Sequence, residues 1–250
     1  MSASRIISAE IVDNREITRG IYKMRLKLPA GYPCPAPGQF VCLYLNDESR
    51  LLPRPFSVCD WEGAGLLTLV YGLKGAGTKI MSGYGSGTVL RVSTPAGNGF
   101  NTQGIKECML VGGGIGAPPL IYLSKSLASD LSMRAVLGFK SEPFLVKDFH
   151  CSVEVATEDG SAGFRGNVLD LLKKLNISYE YIFACGPKPM LKALAGFAAE
   201  RGLSLSVSLE ERMGCGFGAC LGCVCRTKAG SRKICQDGPV FEASEVIWDE

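Results

Sequence analysis

Residues 1–101 carry short alternating or apolar runs at 6–12, 21–28, 40–45, 56–59, 66–71 and 89–92. Turn-forming clusters separate them, among them Pro29-Ala30-Gly31, the Pro33 to Gly38 stretch, Glu62-Gly63-Ala64-Gly65 and Pro95-Ala96-Gly97-Asn98-Gly99. Many short strands at this spacing predict an antiparallel β-barrel. One helical turn is expected at 78–81, stopped by Gly83, Gly85 and Gly87.

The pattern changes near residue 101. Apolar strands are predicted at 107–111, 134–139, 151–156 and 179–184, and helical stretches at 120–128, 168–175 and 189–201. Strand and helix alternate over 102–209, which predicts a parallel sheet with helices on both faces. Residues 210–250 form a third, cysteine-bearing unit. The fold class is therefore multidomain: β-barrel, parallel-sheet α/β domain and a small C-terminal cysteine loop domain.

Composition narrows the function. At 250 residues the chain can bury two cores. A formal charge of +3 with scattered basic residues gives nucleic-acid binding little support. No apolar stretch is long enough to span a bilayer, and the first residues lack a signal-peptide core, so no membrane association and a cytoplasmic location are expected. Of eleven cysteines, five fall within 215–235; the other six (34, 42, 59, 108, 151 and 185) are spread out and read as buried, inert thiols. One histidine, His150, makes histidine-rich zinc sites and histidine-dependent triads poor explanations.

Cys215, Cys220, Cys223 and Cys235 follow C-x4-C-x2-C…C, the plant-type [2Fe–2S] spacing. Glycines at 214, 216, 218 and 222 let the backbone wrap a compact object and bring N–H groups close to sulfur. The competitor is a structural zinc site, which usually shows two short cysteine hooks separated by a longer loop. Three cysteines on one loop and one returning favour iron–sulfur. Cys225 lies where the chain leaves the loop and is left out of the ligand set.

Three further segments carry chemistry. Arg54-Pro55-Phe56-Ser57 opens a barrel strand with a forked cation suited to phosphate. Val70-Tyr71-Gly72 precedes a glycine-rich turn ending in Gly77-Thr78, a helix start whose N–H groups suit phosphate oxygens. A solvated arginine and a plain hairpin turn are the simpler readings of these two. Gly112-Gly113-Gly114-Ile115-Gly116-Ala117 stands between strand and helix as G-x-G-x-x-A, but no acid about twenty residues on is cleanly placed at a strand end. Cys185-Gly186-Pro187 ends another strand, so both turns would face one crevice. Cys185 reads equally as a nicotinamide neighbour or a buried small residue.

This ordered set resembles the ferredoxin–NADP⁺ reductase superfamily. The tail, from Glu210-Glu211-Arg212-Met213 through the cysteine loop to Cys235-Gln236-Asp237-Gly238-Pro239, is similar to electron transfer subunits of type 1B dihydroorotate dehydrogenase. The resemblance implies FAD on the barrel at Arg54, Pro55, Phe56, Ser57, Val70, Tyr71, Gly72, Gly77 and Thr78. It implies NAD against Gly112, Gly113, Gly114, Gly116, Cys185, Gly186 and Pro187, and a [2Fe–2S] cluster on Cys215, Cys220, Cys223 and Cys235. It further implies an FMN-containing catalytic subunit as partner, in a heterotetramer of two plus two, serving pyrimidine biosynthesis. Electrons would run from that FMN through the cluster to FAD and NAD⁺, with no residue here acting as general acid or base. The residues 139–142 suit either a ribose hydroxyl or a 2′-phosphate, so NAD over NADP rests on the resemblance. Two alternatives remain: the small subunit of another flavin and iron–sulfur oxidoreductase, of ferredoxin:NADP or sulfide dehydrogenase type, and a zinc-stabilised binding module.

Overall fold

Period-two patterning sets the barrel. The computed structural model describes residues 5–175 and 179–248. Strands β1 (Ile6–Thr18), β2 (Ile21–Lys27), β3 (Phe40–Tyr44), β4 (Arg54–Glu62), β5 (Leu66–Gly72) and β6 (Val89–Ser93) close antiparallel in the order β1-β2-β5-β4-β3-β6. Met24, Leu26, Val41, Leu43, Val58, Leu67 and Leu69 fill the interior. Strand β3 is buried on both faces: Val41 and Leu43 point into the barrel, while Phe40 and Cys42 point out into a second core. That is why its sequence is an unbroken apolar run rather than an alternation.

Strands β1 and β4 run several residues beyond their apolar runs. β1 continues through the polar stretch 13–18 because β2 supplies a hydrogen-bonding partner along it, from Asp13 opposite Arg25 to Thr18 opposite Ile21. The Asn14 side chain is used as well. Its amide donates to the carbonyls of Met81 (2.8 Å) and Tyr84 (2.9 Å), fastening the end of helix α1 (Ala76–Ser82) to the barrel.

The second unit is a doubly wound sheet. β7 (Glu107–Gly113), β8 (Ser132–Phe139), β9 (Ser152–Thr157), β10 (Phe164–Arg165), β11 (Tyr181–Cys185) and β12 (Ser204–Ser208) stand parallel in the order β10-β9-β8-β7-β11-β12. Along β7, Cys108 and Leu110 face α2 (Ala117–Leu127), and Met109 and Val111 face α3 (Val168–Lys174) and α4 (Lys188–Arg201). Helix α2 starts before the apolar run at 120 because Pro118 and Pro119 sit in its first turn, where a missing N–H costs nothing. Asn167 caps α3 by accepting from Leu169 N (2.9 Å) and Asp170 N (3.0 Å). Part of the strand expected at 179–184 is β11; residues 176–178 lie outside those described.

Strand β12 was not anticipated, since Ser-Leu-Ser-Val-Ser looks half polar. Ser206 and Ser208 are buried all the same. The Ser206 hydroxyl donates to Glu242 Oε1 at 2.6 Å and shares a 2.8 Å hydrogen bond with the Tyr181 hydroxyl, which satisfies it inside.

The tail comprises a hairpin, β13 (Val224–Thr227) with β14 (Gly230–Lys233), then α5 (Ile234–Asp237) and β15 (Val240–Glu242). β15 adds antiparallel to the β12 edge of the main sheet. Cys223, Ile234, Cys235, Phe241 and Val246 belong to the same core as α3 and α4. The cysteine-bearing segment is thus continuous with the α/β core. Among the described residues no helix is long and apolar enough to cross a membrane.

Candidate functional site

The start of β4 and the start of α1 interlock. Arg54 donates through Nη1 to the carbonyls of Arg50 (3.1 Å) and Leu52, which pins its guanidinium. A Cβ on Gly77 would stand 2.6 Å from Arg54 Nε, so a side chain there would push the guanidinium from its place over this helix start. The Thr78 hydroxyl accepts from Lys74 N (3.0 Å) and Gly75 N (3.3 Å) and donates to Gly75 O (3.1 Å). The cradle joins a fixed cation, a braced hydroxyl and a glycine without a side chain, a combination that fits a phosphate-bearing group.

Tyr71 sits elsewhere. Its ring is buried in the barrel, stacked 5.5 Å from Tyr22 and tilted against Phe56 at 5.7 Å, and its hydroxyl donates to Asn14 Oδ1 at 3.0 Å. Val70 faces the α/β domain. Outward from the barrel, the 70–72 segment therefore presents Val70 and backbone rather than the tyrosine ring. Pro55 and Phe56 pair with Cys42 and Val41 of β3.

The nucleotide turns face each other. β7 and β11 are neighbours at the point where strand order reverses, and Gly112 stands opposite Cys185. A Cβ on Gly116 would collide with the Cys185 carbonyl; one on Gly113 would meet Met190 Sδ at 2.6 Å and Pro187 Cδ at 2.9 Å. One on Gly186 would lie 3.1 Å from Gly113 N. At Gly114 nothing among the described residues would come within 4 Å of a Cβ, so the middle of the run opens outward. This backbone-only surface beside a helix start fits a pyrophosphate. Burial pushes the Cys185 thiol up to about 12, with nearby Glu210 adding to the rise against a hydrogen bond from Ser208, so the thiol is neutral.

Glu210 also joins the two half-sites. Its carboxylate lies 3.7 Å from Lys74 Nζ, on the glycine-rich turn of the barrel. Both side chains are exposed, so the pair marks proximity rather than strength.

The cysteine loop follows directly. Cys215 N donates to Cys220 Sγ and Cys220 N to Cys215 Sγ, both at 3.4 Å. Cys235 N donates to Cys223 Sγ at 3.5 Å. The four sulfurs are two braced pairs, an arrangement that fits a two-iron cluster. Among the described residues no group of three or more His, Cys, Asp or Glu is arranged to hold a single metal ion. Burial pushes the Cys215 thiol up, but the N–H groups of Cys220, Phe217 and Ala219 outweigh it and bring it down to about 6. Cys235, buried and beside Cys223, is pushed up to about 12. Lys233 Nζ ties the loop by donating to Gly218 O at 2.7 Å. Phe217 and Leu221 project outward, 58% and 75% exposed. Cys225 stands on β13 opposite Arg232, half-buried and packed on the core.

Two contributors carried no local signal in the sequence: Cys42 beneath the loop and Asn98 beyond it. Each acts through a partner distant in the chain, so no motif spacing could have marked it. Of the other scattered thiols, Cys34 departs from the expected burial: it is exposed, in the proline-rich stretch between β2 and β3. Cys59, Cys108 and Cys151 are pushed up by burial, to about 12, 12 and 11.

Comparison with known proteins agrees with this geometry. Residues 210–247 match the iron-sulfur cluster binding domain of dihydroorotate dehydrogenase B. The chain is 38% identical over 248 residues to the dihydroorotate dehydrogenase B (NAD(+)) electron transfer subunit of Caldanaerobacter subterraneus subsp. tengcongensis, covering 97% of this chain and 98% of that one. The structure of an NADH-dependent reduced ferredoxin-NADP oxidoreductase, studied for flavin-based electron bifurcation, superposes with a TM-score of 0.88 at 30% identity, covering 96% of this chain and 90% of that one. A ferredoxin NADP+ reductase from Neisseria gonorrhoeae with bound FAD and NADP shares the fold at a TM-score of 0.69 and 18% identity, over 79% of this chain and 92% of that one. With its barrel, switch-point crevice and cysteine loop in this order, the chain belongs to the family of NAD⁺-dependent dihydroorotate dehydrogenase B electron transfer subunits.

Proposed function

We propose that this chain carries electrons between a dihydroorotate-oxidising catalytic subunit and NAD⁺, in pyrimidine biosynthesis. The observation that carries the reading is the pairing of the four cysteine sulfurs, braced by backbone N–H groups and set against the barrel. When bound, FAD would supply two-electron hydride chemistry toward nicotinamide and one-electron chemistry toward a [2Fe–2S] cluster, which handles one electron at a time.

The chain's own residues hold these groups. Residues 1–101 serve FAD: Arg54 supplies the charge for its phosphates, Gly77 and Thr78 the close approach, and Pro55, Phe56, Ser57, Val70 and Gly72 the edge on which its ring rests. Tyr71 braces that edge from inside. Residues 102–209 serve NAD⁺: Gly112, Gly113, Gly114 and Gly116 admit the pyrophosphate, and Cys185, Gly186 and Pro187 border the nicotinamide. The neutral Cys185 thiol packs there without exchanging a proton. In 210–250, Cys215 and Cys220 would serve one iron, Cys223 and Cys235 the other. The partner is an FMN-containing catalytic subunit, two copies with two of this chain, in the cytoplasm, and it docks over Phe217 and Leu221, the exposed apolar side chains of the cysteine loop.

The test is reconstitution. Purified chain with FAD and iron oxidises NADH with an artificial acceptor, yet oxidises dihydroorotate only when the catalytic subunit is added. Failure of the first activity sinks the reading, and so does a colourless protein containing zinc. The likeness to the ferredoxin-NADP oxidoreductase favours a second reading, a subunit of that kind of enzyme. A spectrum showing one non-cysteine cluster ligand would support it.

A further inference from the structure

One buried thiol outside the proposed ligand set stands between two of the proposed centres. Cys42 lies on β3 and faces out of the barrel, into the core that also holds Cys223 and Cys235. Across the sheet its register partner is Pro55, in the segment proposed to carry the flavin. On the opposite side its Sγ lies under the cysteine loop, where a Cβ on Gly216 would stand 2.5 Å from it. Among the described residues, and apart from the loop's adjoining ones, only Cys42 Sγ and Cβ come within 4 Å of that position. Gly216 also has φ +81°, a conformation that disfavours any side chain. Cys42 itself is held in place, its N–H donating to Ser93 Oγ at 2.9 Å and that hydroxyl donating to Thr94 O at 2.9 Å.

We infer that Cys42 is a positioning residue for electron transfer, the seat that holds the cluster loop in van der Waals contact with the neighbour of the flavin-bearing strand. The inference rests on the proposed placement of FAD and the cluster. Single-electron transfer weakens steeply as the gap between centres widens. The path here is short: from Cys215 and Gly216 to the Cys42 sulfur, and from Cys42 across one strand pairing to Pro55. A close-packed interior passes a change at one side chain to its neighbours, so a larger residue at 42 lifts the loop and a smaller one lets it settle. A thiol that merely filled core volume would be indifferent to which side of the strand the cluster lies on.

The experiment uses the holoprotein bound to its catalytic subunit, with Cys42→Ser, Cys42→Ala and Cys42→Leu. Iron and flavin per chain are measured first. Each protein is then mixed anaerobically with NADH; flavin bleaching reports hydride arrival, and the cluster's absorbance and electron paramagnetic resonance report electron arrival. Cys42→Ser, which keeps shape and a hydrogen-bonding atom, stays near wild type. In Cys42→Leu, flavin bleaching changes by less than about twofold while cluster reduction per intact cluster slows about tenfold, and the g-values shift. If Cys42→Leu loses iron, Cys42→Ala takes its place, with the same split between an undisturbed flavin phase and an altered cluster phase. A double variant adds an independent reading: Gly216→Ala loses iron, and adding Cys42→Ala restores part of it. Wild-type cluster reduction with unshifted g-values in an iron-replete Cys42→Leu or Cys42→Ala protein overturns the inference. Wild-type protein lacking iron or flavin would overturn the proposed function instead.

Discussion

The Asn98 side chain closes a two-way hydrogen bond with the backbone of Val240: Nδ2 donates to the carbonyl at 2.8 Å and Oδ1 accepts the N–H at 2.9 Å. The Asn98 N–H adds a third bond, to Gly238 O at 2.6 Å. The last loop of the barrel is thereby bolted to the segment leaving Cys235. Replacing Asn98 by Ala strands a buried backbone pair, at about 1–3 kcal/mol. For a chain of this length each kcal/mol lowers Tm by roughly 2–4 °C. Thermal unfolding of Asn98→Ala should show that drop together with faster iron loss, whereas Asn98→Asp, which keeps the acceptor, falls between.

The ligand set makes a sharper prediction. Cys220→Ser removes one member of a braced pair, and the purified protein should lose the visible absorbance of the cluster along with its iron. Cys225→Ser, on the hairpin beyond the loop, should keep both. Iron analysis of the two variants side by side checks the assignment.

Two glycines at the nucleotide crevice are expected to behave differently. Gly116→Ala drives a methyl into the Cys185 carbonyl, which is backbone and cannot swing away. Gly113→Ala meets the Met190 sulfur at 2.6 Å, the far part of an adaptable side chain, and the Pro187 ring at 2.9 Å, a smaller overlap than the one with the Cys185 carbonyl. Stopped-flow reduction by NADH should be crippled in the first and slowed only modestly in the second, with flavin content preserved in both.

Gly77→Ala tests the other half-site. The added methyl presses on the Arg54 guanidinium, and flavin content should fall. Arg54→Lys should fall as well, because an ammonium cannot reproduce the planar fork pinned by Arg50 and Leu52. Bound flavin after gel filtration is the readout.

Alkaline pH should destabilise the chain through its buried thiols. Burial pushes Cys59 and Cys108 from 9.0 to about 12. Above about pH 9 the unfolded chain gives up these protons while the folded chain keeps them, so stability falls as pH rises toward 12. Each thiol contributes a slope of about 1.4 kcal/mol per pH unit in that window. Denaturant unfolding at pH 8 and pH 10 should show the loss, and Cys108→Ala should show a shallower one.

Much of this was legible in the chain because period, turn chemistry and cysteine spacing are local. The barrel runs, the alternation after residue 101 and the C-x4-C-x2-C loop all announce themselves within a few residues. β12 escaped because its central serine, Ser206, is satisfied by Tyr181 and Glu242, partners far along the chain. The inward direction of Tyr71 escaped because register, not composition, decides which face a strand residue takes. Cys42 looked like any other buried thiol until the cysteine loop was found lying on it.

The most direct measurement is an anaerobic NADH titration of the purified chain, followed by visible absorbance and electron paramagnetic resonance. Flavin should bleach and a one-electron iron–sulfur signal should grow in, with about three electron equivalents accepted per chain, two at FAD and one at the cluster. A protein with four intact cysteines that takes up no electrons from NADH, or shows no iron–sulfur signal on reduction, would contradict the account.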